Sequence, residues 1–119
     1  MLVDFDFTEA DICVVRFRGR FVTGVDIDYL RQRADELKGT GCRKIVADFS
    51  GVPYLDSTGI GFIVYLYTTL AKSGGRLVLA CPGARVKQVL ELTRLHTILM
   101  AYDDEASAVA AMRAWSPSA

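Results

Sequence analysis

Histidine occurs once in the 119 residues, at His96, and cysteine three times, at Cys13, Cys42 and Cys81. One histidine cannot build a typical zinc site, and a hydrolase would have to depend on it alone. There is no C-x-x-C pair and no Cys/His ligand spacing. Three distant thiols, an odd number, argue against a disulfide framework and fit reduced, buried cysteines in a reducing compartment. Excess charge of either sign is missing as well: 14 basic residues balance 14 acidic ones. A neutral chain lacks the basic surplus that non-specific binding to nucleic acid or anionic membranes needs. The longest uncharged run, Ser57 to Ala71, falls short of the ~20 residues that span a bilayer. Direct membrane insertion is therefore not expected. The start, Met-Leu-Val-Asp-Phe-Asp-Phe, has no basic region followed by an apolar run, so no signal peptide is expected and the location should be cytoplasmic. Neither G-x-G-x-x-G nor G-x-x-x-x-G-K-[ST] occurs, so the glycines make no nucleotide fingerprint and no cofactor is expected.

What the chain has in quantity is apolar residues, 51% against 24% charged. That is enough for a packed core in one domain. Val3, Phe5 and Phe7 alternate with Asp4 and Asp6, and Ile12 to Phe17 is β-branched and aromatic. Two strands joined by a turn at residues 8–11 should pair antiparallel, the second ending at Gly19. Ile27, Leu30, Ala34 and Leu37 recur at helical spacing, with Thr23 or Asp26 as N-cap. Ile45 to Phe49 and Leu77 to Ala80 read as buried parallel strands. A loop from Ser50 to Leu55 and a helix from about Ser57 to Ser73 lie between them. Pro82-Gly83 opens a helix carrying Val86, Val89 and Leu90. Thr97 to Met100 is read as a short edge strand, and Asp103-Asp104 caps a last helix from Glu105 to Trp115. The order implies an α/β fold: a mixed four- to five-stranded sheet with about four helices in one domain over residues 1–115, followed by a flexible tail at 116–119.

The informative stretch joins a central strand to a helix: Val52-Pro53-Tyr54-Leu55-Asp56-Ser57-Thr58-Gly59-Ile60-Gly61-Phe62. Loops at the carboxyl edge of such a sheet commonly hold binding sites. Asp56, Ser57 and Thr58 are all capping residue types, and at least one should accept from a free amide of the first turn. Gly59 and Gly61 follow in that turn, where each costs ~1 kcal/mol relative to alanine. Glycine there lets another chain approach the backbone; incidental glycines behind a plain helix cap are the other reading. On the helical wheel Ile60, Ile63, Val64, Tyr67 and Ala71 form the stripe expected to face the sheet. Phe62 and Tyr65 lie nearly opposite, either as an exposed apolar docking patch or under a neighbouring helix. Asp48, at its strand end, is expected to tie down loop amides rather than to bind a metal. A serine hydrolase built on Ser57 and His96 would lack the G-x-S-x-G elbow, so an enzyme is not expected.

The string Asp56-Ser57-Thr58-Gly59-Ile60-Gly61 resembles the D-S-[ST]-G-[ILV]-G signature of bacterial anti-sigma factor antagonists, which are STAS-domain proteins. The likeness extends over the Gly19 turn, Ile45 to Phe49, Gly74 to Leu79, Val86 to Leu95 and the acidic opening of the last helix. It implies a single STAS-like domain without catalytic activity. It further implies that a GHKL-type anti-sigma factor serine kinase docks on the Ser57 loop and phosphorylates Ser57, and that a phosphatase reverses this. Arg20, Val22, Asp56, Ser57, Thr58, Gly59, Gly61, Phe62 and Tyr65 are the implied partner-binding residues. In one respect the chain departs from the family: Val22 stands where many antagonists carry an aspartate in the loop after the second strand. Arg20 beside it is either a solvated arginine or a partner for a phosphate on Ser57. The other function considered is an accessory subunit bound to the ATPase of an ABC-type lipid transporter, and the expected state is monomer or weak dimer.

Overall fold

A computed structural model describes residues 1–9 and 11–116 of the chain. Strands β1 (Leu2–Glu9) and β2 (Ile12–Arg18) pair antiparallel, with Phe5 opposite Val15. Then follow α1 (Ile27–Gly39), β3 (Lys44–Gly51), α2 (Ser57–Lys72), β4 (Arg76–Ala80), α3 (Ala84–Leu92), β5 (Ala101–Tyr102) and α4 (Glu105–Ala114). The sheet order is β1-β2-β3-β4-β5, and every pair from β2 to β5 is parallel. The expected mixed sheet and helix count are therefore borne out. The expected turn at residues 8–11 includes Ala10, and most of the expected tail is Pro117 to Ala119; both lie outside the described residues.

Strand alternation divides the core in two. Cys13, Val15 and Phe17 of β2, Ile45, Ala47 and Phe49 of β3, and Leu77 and Leu79 of β4 pack under α1, α2 and α3. Ile12, Val14, Val46, Val78 and Ala80 point the other way, onto Ala108, Val109 and Met112 of α4. β3 lies at the centre and is buried on both faces, as its apolar run requires. All three cysteines are free thiols. Burial raises their pKa values, that of Cys13 to about 11.

The α4 face carries a partly buried charge cluster. Asp48 is 5% exposed, and Arg16 is its cross-strand partner. Arg16 donates to Glu105 Oε1 at 2.7 Å and Oε2 at 2.8 Å, and to Asp6 Oδ2 at 3.0 Å. These bonds hold the Glu105 carboxyl down at about 2, chiefly through Arg16. Burial raises Asp48, and the neighbouring Glu105 adds to the shift. Asp48 Oδ1 accepts from the Ser50 amide at 2.7 Å, the loop-tying role expected of it.

Two local expectations are corrected, and one alternative is resolved. Residues Leu95–Thr97 form a 3-10 turn, and the edge strand begins only at Ala101. The reason is Leu99, whose side chain is 1% exposed in the core and whose amide donates back to Leu95 O at 2.8 Å, closing a turn where a strand would extend. β3 runs on through Ser50 and Gly51, and the amide of Gly19 donates to Gly51 O at 2.9 Å. Of the two cap candidates for α1, Asp26 is the one used, accepting from the Tyr29 amide at 3.0 Å.

Candidate functional site

α2 begins at the carboxyl edge of β3, where three connecting segments meet. Phe21, in the β2–α1 loop, donates its amide to Tyr54 O at 3.0 Å, and its carbonyl accepts from the Asp56 amide at 3.1 Å. Phe21 and Leu55 thus form an isolated parallel bridge that extends the sheet pairing into the loops. Asp56 caps α2: its Oδ1 accepts from the Thr58 amide at 2.8 Å. Its second oxygen leaves the helix and accepts from the Thr23 amide at 2.9 Å and the Thr23 hydroxyl at 3.1 Å. The Thr23 hydroxyl also lies 3.2 Å from that of Thr58. One carboxylate therefore pins both loops. The amide of Thr23 first, then that of Thr58, holds the Asp56 carboxyl below the ordinary aspartate range.

Ser57 is the first residue of α2 and is exposed. Among the described residues its hydroxyl has no hydrogen-bond partner, while its neighbours Asp56 and Thr58 are both engaged. The first turn of α2 carries no acidic residue of its own.

The two glycines differ. A Cβ on Gly59 would stand 2.6 Å from Phe21 O and 2.9 Å from Leu55 Cβ. The close approach at this position is thus made by the protein's own β2–α1 loop, which corrects the expectation of an external chain there. A Cβ on Gly61 would meet nothing within 4 Å. Its backbone is open, in keeping with close approach by a visitor.

Burial also corrects the wheel. Of the expected stripe, Ile63 is buried and half-buried Ile60 and Tyr67 pack on the core, but the fully buried positions of α2 are Gly59, Phe62 and Ile63, with half-buried Leu66 and Leu70 beside them. The buried face is thus broader than expected and shifted toward Phe62 and Leu66, while Ala71 is exposed. Phe62 is 7% exposed and cannot form an exposed docking patch. It packs on Phe21 with ring centroids 5.7 Å apart, and α1 covers it. The physical reason is that α2 sits in the crease between the sheet and α1, so two neighbouring sides of it are buried. Tyr65, stacked 5.9 Å from Phe62, is 42% exposed as expected. Beside it lies a surface depression of about 270 Å³ lined by Ile27, Arg31, Thr58, Gly61, Phe62 and Tyr65.

Most of the anticipated residues are therefore brought together: Asp56, Ser57 and Thr58 on the helix start, Gly61, Phe62 and Tyr65 around the depression. Val22 is half-buried, its carbonyl accepting from the Val25 amide in a tight turn. Arg20 is exposed and lines a separate hollow with Tyr54, outside the depression. His96 lies in the 3-10 turn after α3, at the amino edge of the parallel strands. It is at the opposite end of the sheet from Ser57, so the two are not brought together. Thr23 is the residue that sequence reasoning missed. Its pairing with Asp56 spans 33 positions, and nothing local marks it.

The family model for the STAS domain matches residues 7–108. A Thermotoga maritima protein provisionally named anti-sigma factor antagonist is 35% identical over 79 residues, 66% of this chain and 70% of that one. A crystal structure of a protein from Thermotoga maritima, named in the same provisional way, superposes with a TM-score of 0.86 at 26% identity, over 93% of this chain and 94% of that one. The unphosphorylated form of the anti-sigma factor antagonist SpoIIAA shares the fold, with a TM-score of 0.75 at 19% identity over 96% and 98% of the two chains. The domain match, the shared fold and the Asp56–Gly61 string agree. The chain belongs to the STAS-domain family of anti-sigma factor antagonists.

Proposed function

We propose that this protein is a cytoplasmic, non-catalytic binding module whose docking to an anti-sigma factor serine kinase of the GHKL type is gated by phosphorylation of Ser57. A phosphatase restores the binding form. The observation that carries the reading is Ser57: exposed, its hydroxyl without a partner among the described residues, on a helix start that a shared carboxylate ties to the β2–α1 loop. SpoIIAA, which shares the fold, has been solved in a phosphorylated as well as an unphosphorylated form. Gly61 and the depression beside Tyr65 supply the open backbone and the apolar seat that a docking face needs.

The switch follows from charge. A phosphoserine adds roughly −1.5 to −2 charges. At a helix N-terminus the free amides tolerate that charge, so the domain stays folded. The loss falls on the interface, which would have to bury the phosphate beside the Asp56 carboxylate. A hundredfold loss of affinity needs only ~2.7 kcal/mol, within the cost of desolvating an unpaired charge. The test is affinity capture from the native organism with wild-type and Ser57→Ala baits, phosphopeptide mapping, and titration of the captured kinase. Ser57→Glu should fold like wild type and bind at least about a hundredfold more weakly. Equal affinity of wild type and Ser57→Glu for the kinase refutes the gate. Co-purification with a transporter ATPase, with Ser57 unmodified, would move the protein to the accessory-subunit role.

A further inference from the structure

Beside the Ser57 loop, two arginines come to one surface hollow. Arg20 from the β2–α1 loop and Arg85 from the first turn of α3 line one open concavity of about 510 Å³ with Pro53 and Tyr54. All four residues are exposed, and among the described residues no acidic side chain lines it. Among the described residues the carboxylates that form ion pairs pair with Arg16, Arg33, Lys44, Lys87 and Arg113, and with neither Arg20 nor Arg85. The position of the concavity is fixed: the Phe21 amide bonds Tyr54 O at 3.0 Å, and the same bridge carries Asp56, whose cap starts the helix at Ser57.

We propose that the Arg20–Tyr54–Arg85 concavity is a docking cleft for an acidic segment of a protein partner. A guanidinium grips carboxylates through parallel N–H donors, and two of them in one concavity select a segment carrying more than one acid. The exposed faces of Tyr54 and Pro53 give the peptide an apolar floor, which a lone inorganic anion would not use. The inference rests on the Ser57 reading for the identity of the partner, because the cleft adjoins that loop. It also deepens that reading: the kinase that reaches Ser57 would present aspartates or glutamates to Arg20 and Arg85. Charge of this kind acts mainly on encounter rate and partner choice.

The cleft is tested on the full chain, ¹⁵N-labelled, with hexaglutamate as probe and hexalysine and inorganic phosphate as comparators. Hexaglutamate should saturate the protein at low ionic strength, with shifts confined to Arg20, Tyr54, Arg85 and their neighbours. The double variant Arg20→Glu/Arg85→Glu, checked for folding by circular dichroism, should bind about tenfold more weakly or not at all. Arg43→Glu/Lys72→Glu, the same charge change at the other edge of the sheet, should bind like wild type. Raising the salt from about 20 to about 200 mM should weaken the wild-type complex severalfold, as screening between exposed charges requires. Equal weakening by both double variants, no saturable binding, or saturation by phosphate with no response to hexaglutamate overturns the cleft. The peptide needs no kinase. A cleft that binds hexaglutamate in a protein whose Ser57 is never phosphorylated sinks the kinase reading alone, and a phosphorylated Ser57 beside an inert cleft sinks this one alone.

Discussion

Replacing Gly59 with alanine separates the two duties that glycine has in the first turn of α2. The added Cβ would lie 2.6 Å from Phe21 O, a backbone atom that already accepts from the Asp56 amide at 3.1 Å. A rotamer change cannot relieve such a contact, because the β2–α1 loop itself must move. Overpacking of this kind costs about 1–3 kcal/mol, and contact with backbone places Gly59→Ala toward the upper part of that range. Alanine recovers up to ~1 kcal/mol of helix propensity, which leaves a net loss of about 1–2 kcal/mol. Gly61→Ala meets no atom within 4 Å. It should gain up to ~1 kcal/mol from the same propensity and, if the proposed partner docks at this turn, lose affinity for it. The assay is urea unfolding of both variants, in which a change in midpoint at constant slope reports stability, followed by titration against the captured kinase. The expected pattern is a lower midpoint for Gly59→Ala, and a raised midpoint with weakened binding for Gly61→Ala. A Gly59→Ala protein as stable as wild type would refute the packing argument. A Gly61→Ala protein that binds normally would refute close approach at that turn.

Thr23→Val removes the hydroxyl bonds to Asp56 and Thr58 and keeps the amide bond; it should speed amide exchange at Thr58 and slow phosphorylation of Ser57, and Thr23→Ser should restore both. Glu105→Gln should cost about 1 kcal/mol at neutral pH, the discounted worth of a partly exposed pair. Because Arg16 depresses the Glu105 carboxyl to about 2, that stability is present above the ordinary glutamate range and disappears as pH falls toward 2. Wild type and variant should therefore converge in acid, as read by urea midpoints across pH. Cys13 and Cys42 are buried with raised pKa values, so iodoacetamide should leave both unlabelled in the native protein near neutral pH and label them on unfolding. Mass mapping reads the outcome, and rapid native labelling of Cys13 would contradict its burial.

Period and composition determined most of the secondary structure. The β-branched run Ile12 to Phe17, the unbroken apolar stretch Ile45 to Phe49 and the glycine stops name strands and helix ends because those preferences act over a few residues. The Asp56 cap was legible for the same reason: its donor, the Thr58 amide, lies two positions away. Tertiary structure decided what depends on partners distant in the chain. The inward face of α2 was not legible because helical spacing gives a stripe but not how many neighbours flank it; α1 and the sheet together bury Phe62. Thr97 to Met100 carried β-forming residues, yet Leu99 had a place in the core, and filling it curled the segment into a turn. Gly59 looked like an opening for another protein and is filled by Phe21 of the same chain. The second oxygen of Asp56, which ties Thr23 to the helix start, and the meeting of Arg20 with Arg85 arise only where three loops converge at the sheet edge. Sequence spacing carries no distance across such a convergence, because the strands and crossover helices between those loops set it.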